Sequence, residues 1–141
     1  MQVLWQRATK TTLWNTKTGR STRSTRVKTV SEQFQKGDVV WAPDPFRQGS
    51  NPRLWLVLST ESLPFPGEEY LCAALTTSDF PTNHRVGEDW LTGRNPNKPS
   101  YCSPWVIATI KHRAVANPQG KISMAFTDRM IDRCEQFLRG G

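Results

Sequence analysis

Residues 37–60 read GDVVWAPDPFRQGSNPRLWLVLST. Two apolar runs, 38–42 and 53–60, flank a proline-rich loop that carries the pair Gly49-Ser50. The first run follows the turn signal Lys36-Gly37-Asp38 and is rich in β-formers, which predicts a short strand. The second is apolar from Leu54 through Leu58, the texture of a strand covered on both faces. Its first residue is Arg53, a permanent charge at the mouth of a buried strand. Gly49, Ser50 and Asn51 beside it offer hydroxyl, amide and backbone donors, a grouping suited to a phosphate or another anion. The plainer reading is an arginine that reaches solvent or pairs with an acid such as Asp44. On this residue alone the plainer reading prevails.

Outward from this stretch, YLCAALTTS (70–78) follows the turn LPFPGEE and predicts another strand ending in Thr76 and Thr77. Threonines at a strand end sit on a rigid scaffold and can face a cleft, but they are also ordinary β-formers. An irregular, Pro/Gly/Asn-rich segment (79–99) holds one short strand within 84–91. Strand character returns at 100–112, with Pro104 implying a bend or edge position. NPQG (117–120) reads as a turn and KISMAF (121–126) as the last strand. A helix over 128–139 is expected, capped by Thr127. Met130, Ile131, Cys134, Phe137 and Leu138 form its apolar stripe, and Gly140 its stop. Several short strands and one terminal helix predict a small, strongly bent sheet or barrel closed by that helix.

The 141 residues suffice for one compact domain. Their net charge of +7 is unevenly placed. Residues 1–33 carry seven Lys/Arg against one acid, whereas residues 34–141 carry twelve against eleven. The high isoelectric point therefore belongs to a Thr/Ser/Arg/Lys-rich arm (1–33), expected to be disordered because it buries too little apolar surface. The folded domain is expected at 34–141. No apolar run approaches the roughly 20 residues of a membrane span. Cys72, Cys102 and Cys134 contain no C-x-x-C pair, and only His84 and His112 stand beside them, so neither a zinc site nor another metal is expected. A reducing, cytoplasmic setting fits best.

Four short motifs in order carry a resemblance. They are Gly37-Asp38-Val39-Val40-Trp41, then Asp44-Pro45-Phe46-Arg47-Gln48-Gly49-Ser50, then Arg53-Leu54-Trp55-Leu56-Val57, then Leu75-Thr76-Thr77. Together they make residues 34 to 138 resemble the MazF/PemK family of toxin endoribonucleases (mRNA interferases). The resemblance implies a plectonemic, SH3-like small β-barrel with a C-terminal helix, usually a homodimer. It implies cofactor-free, metal-independent cleavage of single-stranded RNA by ribose 2′-OH attack, growth inhibition, and a cognate antitoxin partner. Arg53 and Thr76 match the catalytic arginine and threonine. Ser50, Asn51, Thr77, Arg47 and Ser103 are the expected substrate-binding residues.

The sequence departs from the family pattern in places. Asn51-Pro52-Arg53 follows Ser50 directly, without the acid that some members place there, and Leu54 stands where a proline is common. The segment SYCSPW offers Ser103 and no carboxylate. Two other readings compete with catalysis by Arg53. One is an acid–base pair of His84 and His112. The other is an inactive barrel that binds RNA or protein, with Trp90, Tyr101 or Trp105 stacking on unpaired bases.

Overall fold

The computed structural model describes residues 26–47, 49 and 51–140. Seven strands are β1 (Asp38–Ala42), β2 (Arg53–Val57), β3 (Glu69–Thr76), β4 (His84–Arg85), β5 (Trp90–Thr92), β6 (Tyr101–Lys111) and β7 (Asn117–Ile122). They form one antiparallel sheet in the order β4-β6-β3-β2-β1-β7-β5, followed by helix α1 (Met124–Arg139). β4 and β5 lie at opposite edges of this sheet, yet only residues 86–89 separate them in sequence. So short a link spans at most about 18 Å when fully extended. The two edges are therefore drawn toward each other, and the sheet curls into the bent, barrel-like form expected from the sequence.

The curl explains why the second apolar run shows no alternation. Val40, Ala42, Trp55, Val57, Tyr70, Cys72 and Ala74 share one face with Phe34, Ala108, Ile110 and Val115. Val39, Leu56, Ala73 and Leu75 occupy the other, where Phe126 and Met130 of α1 cover them. Both faces of the central strands are dry, so both parities of β2 must be apolar. Burial also pushes the Cys72 and Cys102 thiols well up, leaving them as small apolar residues.

Pro104 produces its bend inside β6. Ala73 pairs with Ile107 while Ala74 pairs with Ser103, so residues 104–106 bulge out of the ladder where a missing N–H costs nothing. At the β5–β7 crossing the backbones nearly touch. A Cβ built on Gly93 would lie 2.2 Å from the Gln119 carbonyl oxygen, and one on Gly120 only 2.1 Å from that of Thr92.

Three expectations need correction. Residues 117–120 are not a turn but the start of β7, with Asn117 and Pro118 opposite Trp41 and Val40. The segment 84–91 contributes to two edge strands rather than one, because it crosses from one rim of the sheet to the other. The helix begins at Met124, and its cap is Ser123, not Thr127. Asp89 decides that start: its carbonyl accepts the Ser123 N–H (2.8 Å) and its carboxylate accepts the Ser123 hydroxyl (2.7 Å). Ser123 Oγ in turn accepts the Phe126 N–H at 3.1 Å. Thr127 is buried in the first turn, its hydroxyl donating to the Ser123 carbonyl.

The boundary expected at residue 33/34 falls inside a docked segment. Lys28 Nζ lies 3.1 Å from Asp38 and 2.9 Å from the Gln33 carbonyl, and His112 Nε2 lies 2.7 Å from the Val30 carbonyl. Contacts with buried Asp38 and with His112 hold residues 26–33 where composition alone predicts only solvation. The rest of the arm (1–25) lies outside the described residues.

Replacing Ser123 with Ala should destabilise the fold by about 1–2 kcal/mol, since a cap and its anchor are lost together. Urea denaturation read by circular dichroism would show the lower midpoint.

Candidate active site

β2 and β3 pair from Val57 opposite Cys72 to Trp55 opposite Ala74, and beyond that pair Arg53, the first residue of β2, and Thr76, the last of β3, both line one cleft. Asp44, Arg47, Asn51 and Pro52 of the 43–52 loop border the same cleft. Asp44 begins the loop: its Oδ1 accepts the Phe46 N–H (2.8 Å) and its carbonyl the Arg47 N–H (3.1 Å), a turn of the kind Asp-Pro favours. The cleft, of about 390 Å³, is lined by Trp41, Asp44, Arg47, Asn51, Pro52, Arg53, Leu54, Leu75, Thr76, Thr77 and Ser100.

Arg53 is held by three groups. One guanidinium nitrogen donates to Asp44 Oδ2 (3.2 Å), the other to the Leu75 carbonyl (3.2 Å), and the guanidinium carbon stands 5.6 Å from the Trp55 ring centroid. Arg53 pairs with Asp44, and it still faces the cleft, with its side chain 28% exposed against 4% for the Asp44 side chain. A guanidinium has five N–H donors in a planar fork, so two fixed bonds orient the group without exhausting it. An anion in the cleft would meet a charge already aimed.

Of the residues expected from sequence, Arg47, Asn51, Arg53, Thr76 and Thr77 line this one cleft. Ser50 lies outside the described residues. Ser103 is brought elsewhere: it is buried, donates its hydroxyl to Asn83 Oδ1 (2.7 Å), and does not line the cleft. Sequence reading treated Asp44 only as a possible counter-charge, although its Asp-Pro turn signal marks it as the residue that shapes the loop. Among the described residues no group of three or more His, Cys, Asp or Glu could hold a metal ion.

The histidine pair does not assemble. His84 sits opposite Cys102 near one end of β6, while His112 follows its other end. Ten strand residues put them on the order of 30 Å apart. His112 bonds to the Tyr70 hydroxyl (2.8 Å) and stacks on Phe34 at 5.2 Å, a structural post. Burial, then the charges of Arg133 and Arg129, lower the pKa of His84.

No protein-family model matches the chain, and no curated protein matches it. Among solved structures, it is similar to an endoribonuclease in complex with its cognate antitoxin from a mycobacterial species. That match has a TM-score of 0.55 at 19% identity and covers 77% of this chain and 94% of the other.

The lowered pKa of His84 has a consequence for stability. An unfolded chain takes up the proton first on acidification, so folding stability should fall as pH drops below about 6.5 and level off below the folded value. In His84→Gln that portion of the slope should vanish from urea midpoints measured between about pH 7 and 5. In fold the chain resembles that endoribonuclease: a mostly β, curled antiparallel sheet with one C-terminal helix, the fold class expected from the sequence.

Proposed function

We propose that the protein is the toxin of a toxin–antitoxin pair, a cytoplasmic endoribonuclease that cleaves single-stranded RNA by attack of the ribose 2′-hydroxyl on the adjacent phosphate. The observation that carries this reading is the joint presence of Arg53 and Thr76 on the wall of one cleft, both at the ends of rigid strands. The fold likeness supports it.

Attack by the 2′-oxygen places extra negative charge on the non-bridging phosphate oxygens. A guanidinium preoriented by Asp44 and the Leu75 carbonyl stabilises that charge more in the transition state than in the substrate. The Thr76 hydroxyl, which accepts the Ser78 N–H at 3.2 Å, keeps its own proton for donation to the same oxygens. Arg47, Asn51 and Thr77 hold the flanking substrate. Arg53 acts through charge, since its pKa above about 12 makes it a poor proton donor. Asp44, the only carboxylate lining the cleft among the described residues, already accepts from Phe46 and Arg53. A route needing neither metal nor cofactor is consistent with that donor set. As the P–O2′ bond forms the P–O5′ bond breaks; the 2′-hydroxyl proton passes to water, the departing 5′-oxygen takes one from water, and a 2′,3′-cyclic phosphate and a 5′-hydroxyl remain.

Arg53→Ala should remain folded and lose about a hundredfold or more in turnover. Single-stranded RNA in excess EDTA, with fragment ends typed chemically, is the assay. Cyclic-phosphate ends from the wild type alone would support the reading. Intact RNA with wild type would instead favour a barrel that binds RNA or protein without cutting. Equal cleavage by the variant would remove Arg53 from the mechanism.

The homodimer that accompanies this reading has a surface to form on. Phe80, Trp105 and Phe137 are all exposed and touch in series, with ring centroids 6.1 and 6.0 Å apart. Trp105→Glu should shift the sedimenting species from dimer to monomer in analytical ultracentrifugation. A wild type that sediments as a monomer at micromolar concentration would refute the dimer.

A further inference from the structure

Four adjacent strands each contribute one residue to a row across the mouth of the sheet. Thr76 on β3 lies opposite Tyr101 on β6, and Tyr101 opposite Arg85 on β4, while Arg53 opens β2 beside the end of β3, its guanidinium 3.2 Å from the Leu75 carbonyl. Directly opposed residues in antiparallel strands point to the same face. At about 4.8 Å per strand, the row runs about 14 Å from Arg53 to Arg85. One end is the guanidinium assigned to the reacting phosphate. The other end carries a second guanidinium, beyond an aromatic ring.

The two arginines differ in their bonding. Arg53 is locked by Asp44, whereas Arg85 is exposed and makes no ion pair among the described residues. Arg85 lies 3.5 Å from the Tyr101 hydroxyl and 5.9 Å from its ring centroid, both at the outer limit for such contacts. Turning toward a phosphate would cost it little. Tyr101 is half-buried on a strand that pairs on both sides, so its position is fixed while part of the side chain stays accessible. An aromatic ring beside an uncommitted guanidinium, next to a hydroxyl at the reacting centre, matches the needs of an unpaired nucleotide.

Building on the ribonuclease reading above, we infer that Tyr101 and Arg85 form a nucleotide subsite flanking the scissile phosphate. The Tyr101 ring stacks the base of the neighbouring nucleotide, and Arg85 takes that nucleotide's outer phosphate. The RNA then crosses the strands rather than running along one of them. Its path starts at the cleft and passes over β3 and β6 to β4.

The test uses a fluorescein-labelled pool of 2′-O-methyl RNA of about twelve nucleotides, which binds but lacks the attacking hydroxyl, followed by anisotropy. Tyr101→Leu should raise its Kd about tenfold and Arg85→Gln about fivefold, in the range of a lost stack and a lost phosphate contact. A 2′-O-methyl dinucleotide without terminal phosphates carries the base for Tyr101 but lacks the phosphate for Arg85, so it should compete equally well against wild type and Arg85→Gln and less well against Tyr101→Leu. Arg85→Gln alters an exposed side chain, so its effect reads the subsite even where Tyr101→Leu disturbs packing. Wild-type affinity in Arg85→Gln, equal weakening of dinucleotide and long RNA by Arg85→Gln, or no binding by the wild type would each overturn the subsite. Loss of the ribonuclease reading would appear separately, as unmodified RNA left intact by a wild type that still binds the methylated pool.

Discussion

A link of four residues, 86–89, joins strands at the two opposite edges of a seven-stranded sheet, and the rest of the architecture depends on it. A flat sheet of that width could not be bridged by so short a segment. Curling brings the rims together, encloses one apolar cluster, and turns the opposite face toward α1. The same link carries Asp89, whose bonds to Ser123 fix where β7 ends and the helix begins. Closure and capping are thus one event. The residue that draws the sheet shut also sets the phase of the helix, and with it which side chains reach the core.

The cleft inherits its rigidity from that closure. Arg53 and Thr76 are carried by central strands whose inner residues are fully buried, so the backbone of neither depends on loop order for its position. The loop contributes mainly Asp44, which shapes the turn with one carboxylate oxygen and grips Arg53 with the other. An ion pair with one buried partner constrains geometry more than it adds net stability, because desolvation offsets much of the attraction. For a group proposed to stabilise developing charge, fixed direction is the useful outcome.

What sequence could and could not reveal follows from the range of each interaction. The central strands 38–42 and 53–57 were legible because both-face burial makes β2 continuously apolar and a Lys-Gly-Asp turn announces β1. The cleft residues Arg53, Thr76 and Asn51 were singled out by the order of the four motifs, since each alone reads as an ordinary counter-charge, β-former or turn residue. The helix start was not. Ser123 and Thr127 are both good caps by type, and the choice between them is made by Asp89, thirty-four residues away. NPQG carries every mark of a turn, yet pairing with β1 draws it into a strand. Ser103 looked available for substrate, but Asn83, in a loop with no local signal, had already claimed its hydroxyl. Each miss is a long-range partner overruling a short-range preference.

One further arrangement has a direction built into it. The Phe34 N–H lies 3.1 Å from the Tyr70 oxygen, Tyr70 bonds to His112 Nδ1, and His112 Nε2 meets the Val30 carbonyl. A carbonyl can only accept, so in a neutral ring the proton must sit on Nε2, and Nδ1 must receive the tyrosine proton. The tautomer is therefore dictated by a backbone oxygen at one end and a backbone amide at the other. Four groups of opposite character form a one-way circuit, in which no bond can reverse without orphaning its neighbour. The segment before β1 is thus fastened to the barrel by a latch with a single closed orientation.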